Sequence, residues 1–374
     1  MAASPRLVPG RAARAVVVKV GSSSITDEDG RIVDAAIAKL CSEVAALRAQ
    51  GHQVVIVTSG AIAAGLRVLA LHPRPSDPAV LQAVSAVGQS RLMSHYEGAL
   101  EACGLVGGQV LLAPLDFVNR AQYLHARQTL WLLLSLGVVP VVNENDAVTD
   151  EEIRFGDNDR LAALVAHLVQ AELLVLLTDA AGLLTADPRT DEDASLIEEV
   201  VEVDHVLALA GGAGSERGTG GMASKLAAAK IAAWSGVRVV IASAERPRVL
   251  QDAVAGVVGA GTFIRARQAR LPARKLWIAF ALAPAGTLVV DEGAKKALLE
   301  KGVSLLPAGV RDVLGDFLPE EAVEVAGPDG VVFAKGLVRH SAKDLSEWMG
   351  YKTSLLPPDV PAEVVHRDDL VILP

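Results

Sequence analysis

Aromatic side chains make up only 3% of the 374 residues, so a core built from this chain has to be aliphatic. Cysteine is almost missing: Cys41 and Cys103 stand alone, with no metal-like spacing between them. Two isolated thiols, one inside an apolar helical pattern, exclude a disulfide framework and fit a reduced, cytoplasmic protein. The eight histidines form no HExxH pair, which argues against a bound transition metal. No apolar run reaches membrane-spanning length. The best, Trp131 to Val142, is broken by Ser135, Gly137 and Pro140. Positive charge is also in deficit. A net charge of −9 argues against nucleic acid or an anionic membrane as the main partner. An anionic ligand must then be drawn by local cations.

What is present is ample apolar material, 51% of residues, on a chain long enough for two domains. The first fourteen residues are rich in Ala, Pro and Arg and read as a flexible tail, because a strand pattern begins at Ala15. From there short β-branched runs alternate with amphipathic stretches. AVVVKV (15–20) is a buried strand. Val33, Ile37, Leu40, Val44 and Leu47 then form one helix face, and Gly51 marks its stop. QVVIVT (53–58), QVLLA (109–113), VVPVV (138–142), LLVLLT (173–178) and VRVVIA (237–242) read as further strands. Helical patterns lie between them. Pro140 suits only an edge or an end of its strand. The alternation predicts an α/β fold with a mainly parallel sheet covered on both faces. Near Thr262 the texture changes. RARQARLPARK (265–275) carries five basic residues and no acid. We expect an α/β domain over 15–262, a basic linker over 263–275, and a small β-rich domain with little helix over 276–374.

In open α/β sheets, ligands bind outside the carboxyl ends of the strands. The residues following each strand are therefore the candidates. The first strand gives Lys19 and GSSS. The second gives Ser59 and Gly60, opening a helix. The fourth gives Asn143, Glu144, Asn145 and Asp146, followed by Asp157, Asn158 and Asp159 before a helix. The fifth ends in Thr178 and Asp179. Later, Thr219, Gly220, Gly221, Met222, Ala223 and Ser224 lead to Lys225. Glycine and serine loops at helix starts offer backbone N–H groups to anions. Lys19 and Lys225 could flank a transferred phosphoryl group, a reaction that needs positioning and charge neutralisation above all. Asp159 could orient the two ammonium groups. Taken singly, each feature has a plainer reading: a solvated lysine, an N-cap, a packing turn. GTGGMASK is not the P-loop pattern.

Taken together, VVVKVGSSS, VIVTSGAIAAG, AVGQSRLM, VVPVVNENDAV, FGDNDRLAALVA, LLTDAAGLLTADPR and GTGGMASKLAAA resemble the glutamate 5-kinase branch of the amino-acid kinase family. The resemblance runs in order from about Val16 to HRDDLV near the end. It implies a three-layer αβα sandwich. It also implies a reaction of ATP with L-glutamate, with Mg²⁺, to give γ-glutamyl phosphate, the first step of proline synthesis. On that resemblance Lys19 contacts phosphates and Asp159 organises the lysines. Ser59, Gly60, Asp146 and Asn158 fall on glutamate positions. Thr178, Asp179 and the run from Thr219 to Lys225 fall on nucleotide positions. Asp116 lies where the proline-sensitivity loop falls, although a plain turn aspartate is an equal reading. Proline as inhibitor, a homo-oligomer and a glutamyl phosphate reductase as partner are further expectations. The segment from Gly286 onward resembles a PUA domain, a fold that often binds RNA. From Lys275 to Pro374 there are ten Lys or Arg against fifteen Asp or Glu, which argues against an RNA-reading surface. The alternatives are a same-fold kinase of another small carboxylate and a regulatory or RNA-binding protein.

Overall fold

Strand-forming runs and helical stripes assemble here into two compact units, residues 1–270 and 271–374. The computed structural model describes residues 15–27, 29–148, 158–186, 191, 193–203, 206, 221–267, 270–280, 282–357 and 360–373. Leu115, Val118 and Ala273 are described in the backbone alone.

The first unit is built on an eight-stranded sheet of order β3-β4-β2-β1-β5-β7-β8-β6. Its strands are β1 (Ala15–Val20), β2 (Gln53–Val57), β3 (Gly107–Leu112), β4 (Val139–Glu144), β5 (Leu173–Thr178), β6 (Glu199–Val200), β7 (Arg238–Ser243) and β8 (Thr262–Ile264). Pairing is parallel except between β7 and β8. β4 lies inside the sheet, yet its proline is accommodated. β3 pairs along the whole strand, whereas β2 joins only at Val141 and Val142, beyond Pro140. The missing N–H therefore falls at the strand's start, where no partner on that side needs it.

Strand alternation sorts the side chains into two cores. Val16, Val18, Val20, Val54, Ile56, Val175 and Val240 face helices α2 (Asp34–Ala49) and α4 (Pro78–Ala102). The stripe anticipated over Ile37, Leu40, Val44 and Leu47 is buried in that layer. The short α1 (Ser22–Ile25) precedes α2 in the chain, and α3 (Ala61–Val68) comes between α2 and α4. The opposite face carries α6 (Arg120–Ser135), after the one-turn α5 (Leu115–Val118), with α7 (Asn158–Leu168) and α8 (Met222–Trp234). α3 is pressed onto α4 through two glycines. A Cβ on Gly65 would stand 2.0 Å from the Val84 carbonyl oxygen, and one on Gly88 1.7 Å from that of Ala61. This contact fixes the helix that starts at Gly60.

Three expectations need correcting. The expected boundary at residue 262 cuts through β8. Nor is the basic stretch a spacer, because its cations are used in packing. Arg265 pairs with Glu199, Arg267 lies 4.2 Å over the Trp234 ring, and Arg270 reaches the Gly236 carbonyl. The second unit begins with α10 (Ala273–Phe280) and holds a five-stranded mixed sheet of order β10-β9-β11-β12-β13. Its strands are β9 (Gly286–Val290), β10 (Val310–Gly315), β11 (Ala322–Ala326), β12 (Val332–Val338) and β13 (Val365–Ile372). It contains more helix than anticipated, with α11 (Glu292–Lys301) and α12 (Ala342–Trp348) as well. Among the described residues, no helix is long and apolar enough to cross a membrane.

Candidate active site

The carboxyl ends of β1, β2, β4 and β5 converge on the start of α7, where two neighbouring residues serve two different clusters. The first cluster is ionic. Val18 and Val20 point into the α2–α4 core, so alternation sends Lys19 to the other face, beneath α7 and α8. There Lys19 Nζ lies 2.6 Å from Asp159 Oδ1. Lys225 Nζ, from the first turn of α8, lies 3.1 Å from Asp159 Oδ2. Ser224 Oγ donates to the same oxygen at 2.9 Å. Asp159 is completely buried, and the two lysine side chains are 4% and 8% exposed. Charges buried this deeply cost several kcal/mol each unless they are paired and hydrogen-bonded. The carboxylate offsets that cost for both ammonium groups, and its place in the first turn of α7 complements the helix dipole. The trio itself sums to one positive charge. Gly21, just beyond β1, leaves room above it: a Cβ there would lie 3.8 Å from Lys19 Nζ.

The second cluster is neutral and hangs on Asn158. Its Nδ2 donates to Thr58 O at 2.6 Å, Asn143 Oδ1 at 2.7 Å and Ser59 Oγ at 3.0 Å. Asn143 Nδ2 in turn donates to Gln89 Oε1 at 2.8 Å, and Asn143 Oδ1 also accepts from the Glu144 N–H. Thr58 Oγ1 and Tyr96 OH share a 2.8 Å bond below. Burial pushes the Tyr96 phenol above its ordinary range, so it remains a neutral partner. Asp146 accepts a 2.8 Å bond from Ser85 Oγ. Gly60, with φ +98°, turns the chain into α3 and presents that helix's N-terminus beside Ser59.

Other expected participants lie apart from these clusters, act locally or fall outside the described residues. Thr178 Oγ1 donates to Asp179 at the end of β5. Gly221, Met222 and Ala223 open α8, whereas Thr219, Gly220 and Asp157 lie outside the described residues. Asp116 accepts a 2.7 Å bond from the Ala113 N–H within its own turn. The structure adds residues that the sequence reading did not select, Gln89, Ser85, Thr58 and Tyr96, and gives Asn143, a strand-end candidate without an assigned role, its place in the net. Ser85 and Gln89 carried a signal, since they are polar residues four apart on the buried stripe of α4.

The family model for the amino acid kinase family matches residues 14–243, and that for the PUA domain matches residues 286–355. The chain belongs to the amino acid kinase family. It is 48% identical over 363 residues to the glutamate 5-kinase of Deinococcus radiodurans, covering 96% of this chain and 99% of that protein. Against the glutamate 5-kinase of Geobacter sp. (strain M21) it is 46% identical, covering 96% of this chain and 97% of that protein. These relatives set it, within the family, among the glutamate 5-kinases. The fold is shared with the solved carbamate kinase from Giardia lamblia at a TM-score of 0.51 and 18% identity, over 68% of this chain and 99% of that one.

Proposed function

We propose that the chain transfers the γ-phosphoryl group of ATP to the γ-carboxylate of L-glutamate, giving ADP and γ-glutamyl phosphate. The observation that carries this reading is the joining of Lys19 and Lys225 through the buried Asp159, next to the amide network of Asn158. A carboxylate oxygen of glutamate attacks the γ-phosphorus, and the bond to the ADP oxygen breaks. No proton has to move, so the protein's task is to align two anions and hold positive charge where negative charge spreads. Lys19 and Lys225 supply that charge. Asp159 and Ser224 keep the ammonium groups in place. Magnesium would come as part of the MgATP substrate and would offset phosphate charge during transfer.

Recognition of glutamate falls to the neutral cluster. Three acceptors engage the Asn158 nitrogen, so its Oδ1 is turned away from them, oriented to accept from an α-ammonium. Asp146, steadied by Ser85, adds negative charge for the same group. Ser59, Gly60 and the start of α3 suit the α-carboxylate. Thr178, Asp179 and the run from Thr219 to Lys225 take the nucleotide. Proline shares the α-groups of glutamate and lacks the γ-carboxylate. We infer that it inhibits by overlap, as end product of the pathway that begins here, with Asp116 setting the turn after β3. The product's free amine can attack its own acyl phosphate, which favours rapid hand-over to a reductase. Residues 15–270 then act as the catalytic part, in a homo-oligomer, and the PUA unit modulates it.

A hydroxylamine-trapping assay tests the substrate. Glutamate should yield hydroxamate, and N-acetylglutamate and aspartate little. Equal yields with N-acetylglutamate would contradict the reading, because acetylation removes the ammonium.

A further inference from the structure

The loop that follows β7 is fastened by two side chains of α2. Lys39 Nζ donates to the carbonyl oxygens of Ala244 and Arg246, each at 2.9 Å, and to Glu43 Oε1 at 2.8 Å. The other oxygen, Glu43 Oε2, accepts a 2.9 Å bond from the Leu250 N–H in the first turn of α9 (Val249–Ala255). Glu43 is only 7% exposed, on a helix whose other buried positions are Ile37, Leu40, Cys41, Val44 and Leu47. A carboxylate buried within an apolar stripe is costly unless every oxygen is engaged. Here one oxygen holds a helix start and the other holds the lysine that grips the loop. Arg246 ties the loop from its far side, to Asp252 and the Gly259 carbonyl.

That loop is joined directly to the carboxyl end of β5. Thr178 and Ser243 are register partners, and the Ala244 N–H donates to Thr178 O at 2.7 Å. Thr178 Oγ1 in turn holds Asp179. An unbroken set of bonds therefore runs from Lys39 through Ala244 to Thr178 and Asp179.

We propose that Lys39 and Glu43 are positioning residues for nucleotide binding: they set the height of the 244–248 loop, and through it the Thr178–Asp179 strand end, against the incoming ATP. Neither side chain touches the reacting atoms. The inference rests on the reading of Thr178 and Asp179 as nucleotide positions. A loop released from Lys39 would have to be reordered on binding, which taxes nucleotide affinity and leaves the Lys19–Asp159–Lys225 trio intact.

The test compares the full-length chain with its Lys39→Met, Lys39→Arg and Glu43→Gln variants. Steady-state kinetics are read for both substrates, and ADP affinity is read by calorimetry. Lys39→Met should raise the KM for ATP and the Kd for ADP about tenfold, equivalent to about 1.4 kcal/mol. kcat and the glutamate KM should stay within about twofold. Lys39→Arg, which keeps donors for the two carbonyls, should recover most of the loss. Glu43→Gln should fall between them. A folded Lys39→Met chain with unchanged ADP affinity would overturn the proposal. So would equal deterioration of kcat and both KM values, the mark of general loosening. If the wild-type chain binds ADP but phosphorylates no glutamate, the proposed reaction fails by itself. The ADP affinities of wild type and Lys39→Met then still decide the positioning role.

Discussion

Asn158 and Asp159 are consecutive residues in one turn of α7, yet they anchor clusters of opposite character. Asp159 gathers ammonium groups from β1 and α8 into an ionic knot with almost no exposure. Asn158 gathers neutral acceptors from β2 and β4 into a hydrogen-bonded net. The step of about 100° between successive helical residues is enough to aim them apart. The difference matches the two tasks a kinase of a small acid must perform. Charge that develops during transfer calls for fixed cations. A small zwitterion is distinguished from its neighbours by directional donors and acceptors, because an unmatched polar group is costly.

If that division is correct, damage to the two clusters should appear in different kinetic constants. The largest effect belongs to the ionic knot. Lys225→Met should lower kcat by roughly 10²–10³, the loss typical of one preorganised donor, with the glutamate KM little changed. Near-normal turnover would remove Lys225 from the mechanism. Stability should also distinguish the knot's members. Asp159→Asn leaves two ammonium groups facing each other in a buried site and should cost roughly 3 kcal/mol in a denaturant melt. Lys225→Met leaves Asp159 paired with Lys19 and should cost clearly less. The reverse order would show that Asp159 is not the hub.

A smaller effect is expected in the neutral net. Asn158→Asp places an oxygen where Thr58 O, Ser59 Oγ and Asn143 Oδ1 all expect a donor. The glutamate KM should rise about tenfold or more, with a lesser change in kcat. A lowered kcat at constant KM would place Asn158 with the phosphoryl group instead. The smallest effect lies outside both clusters. Burial, and then the nearby Arg270 and Arg127, lower the pKa of His167 from 6.5 to about 4. The unfolded chain therefore takes up this proton first as pH falls. Stability is complete above 6.5 and is lost between 6.5 and about 4, by roughly 1 kcal/mol over the first unit. His167→Gln should flatten that part of the stability profile, measured by chemical denaturation at stepped pH. An unchanged slope would assign the acid sensitivity elsewhere.

The strands, the helix stripe on α2 and the ionic trio are legible in the sequence, because each depends on local periodicity or on charged residues beside apolar runs. Lys19, Asp159 and Lys225 were also few in kind: charged residues beside apolar runs attract notice. The neutral net was less legible. Gln89 and Asn143 are 54 positions apart, and only the packing of α4 across the sheet brings them to 2.8 Å. The inter-unit boundary was misplaced for a similar reason. A run of arginines has the composition of a linker, and nothing local shows that Trp234 and Glu199 wait to receive Arg267 and Arg265. In the second unit the sequence does carry a local helix signal. Asp291 caps α11 through a 2.8 Å bond from the Ala294 N–H, and Gly302 with φ +58° ends it, the usual marks of a helix start and stop.

The central claim is that this site makes an acyl phosphate from glutamate, and the most direct test is the stoichiometry of its two products. With MgATP, glutamate and hydroxylamine, ADP and γ-glutamyl hydroxamate should accumulate one for one, and both should fall together in Lys225→Met. ADP release with no matching hydroxamate, or hydroxamate formation undiminished in the Lys225→Met chain, would contradict the account.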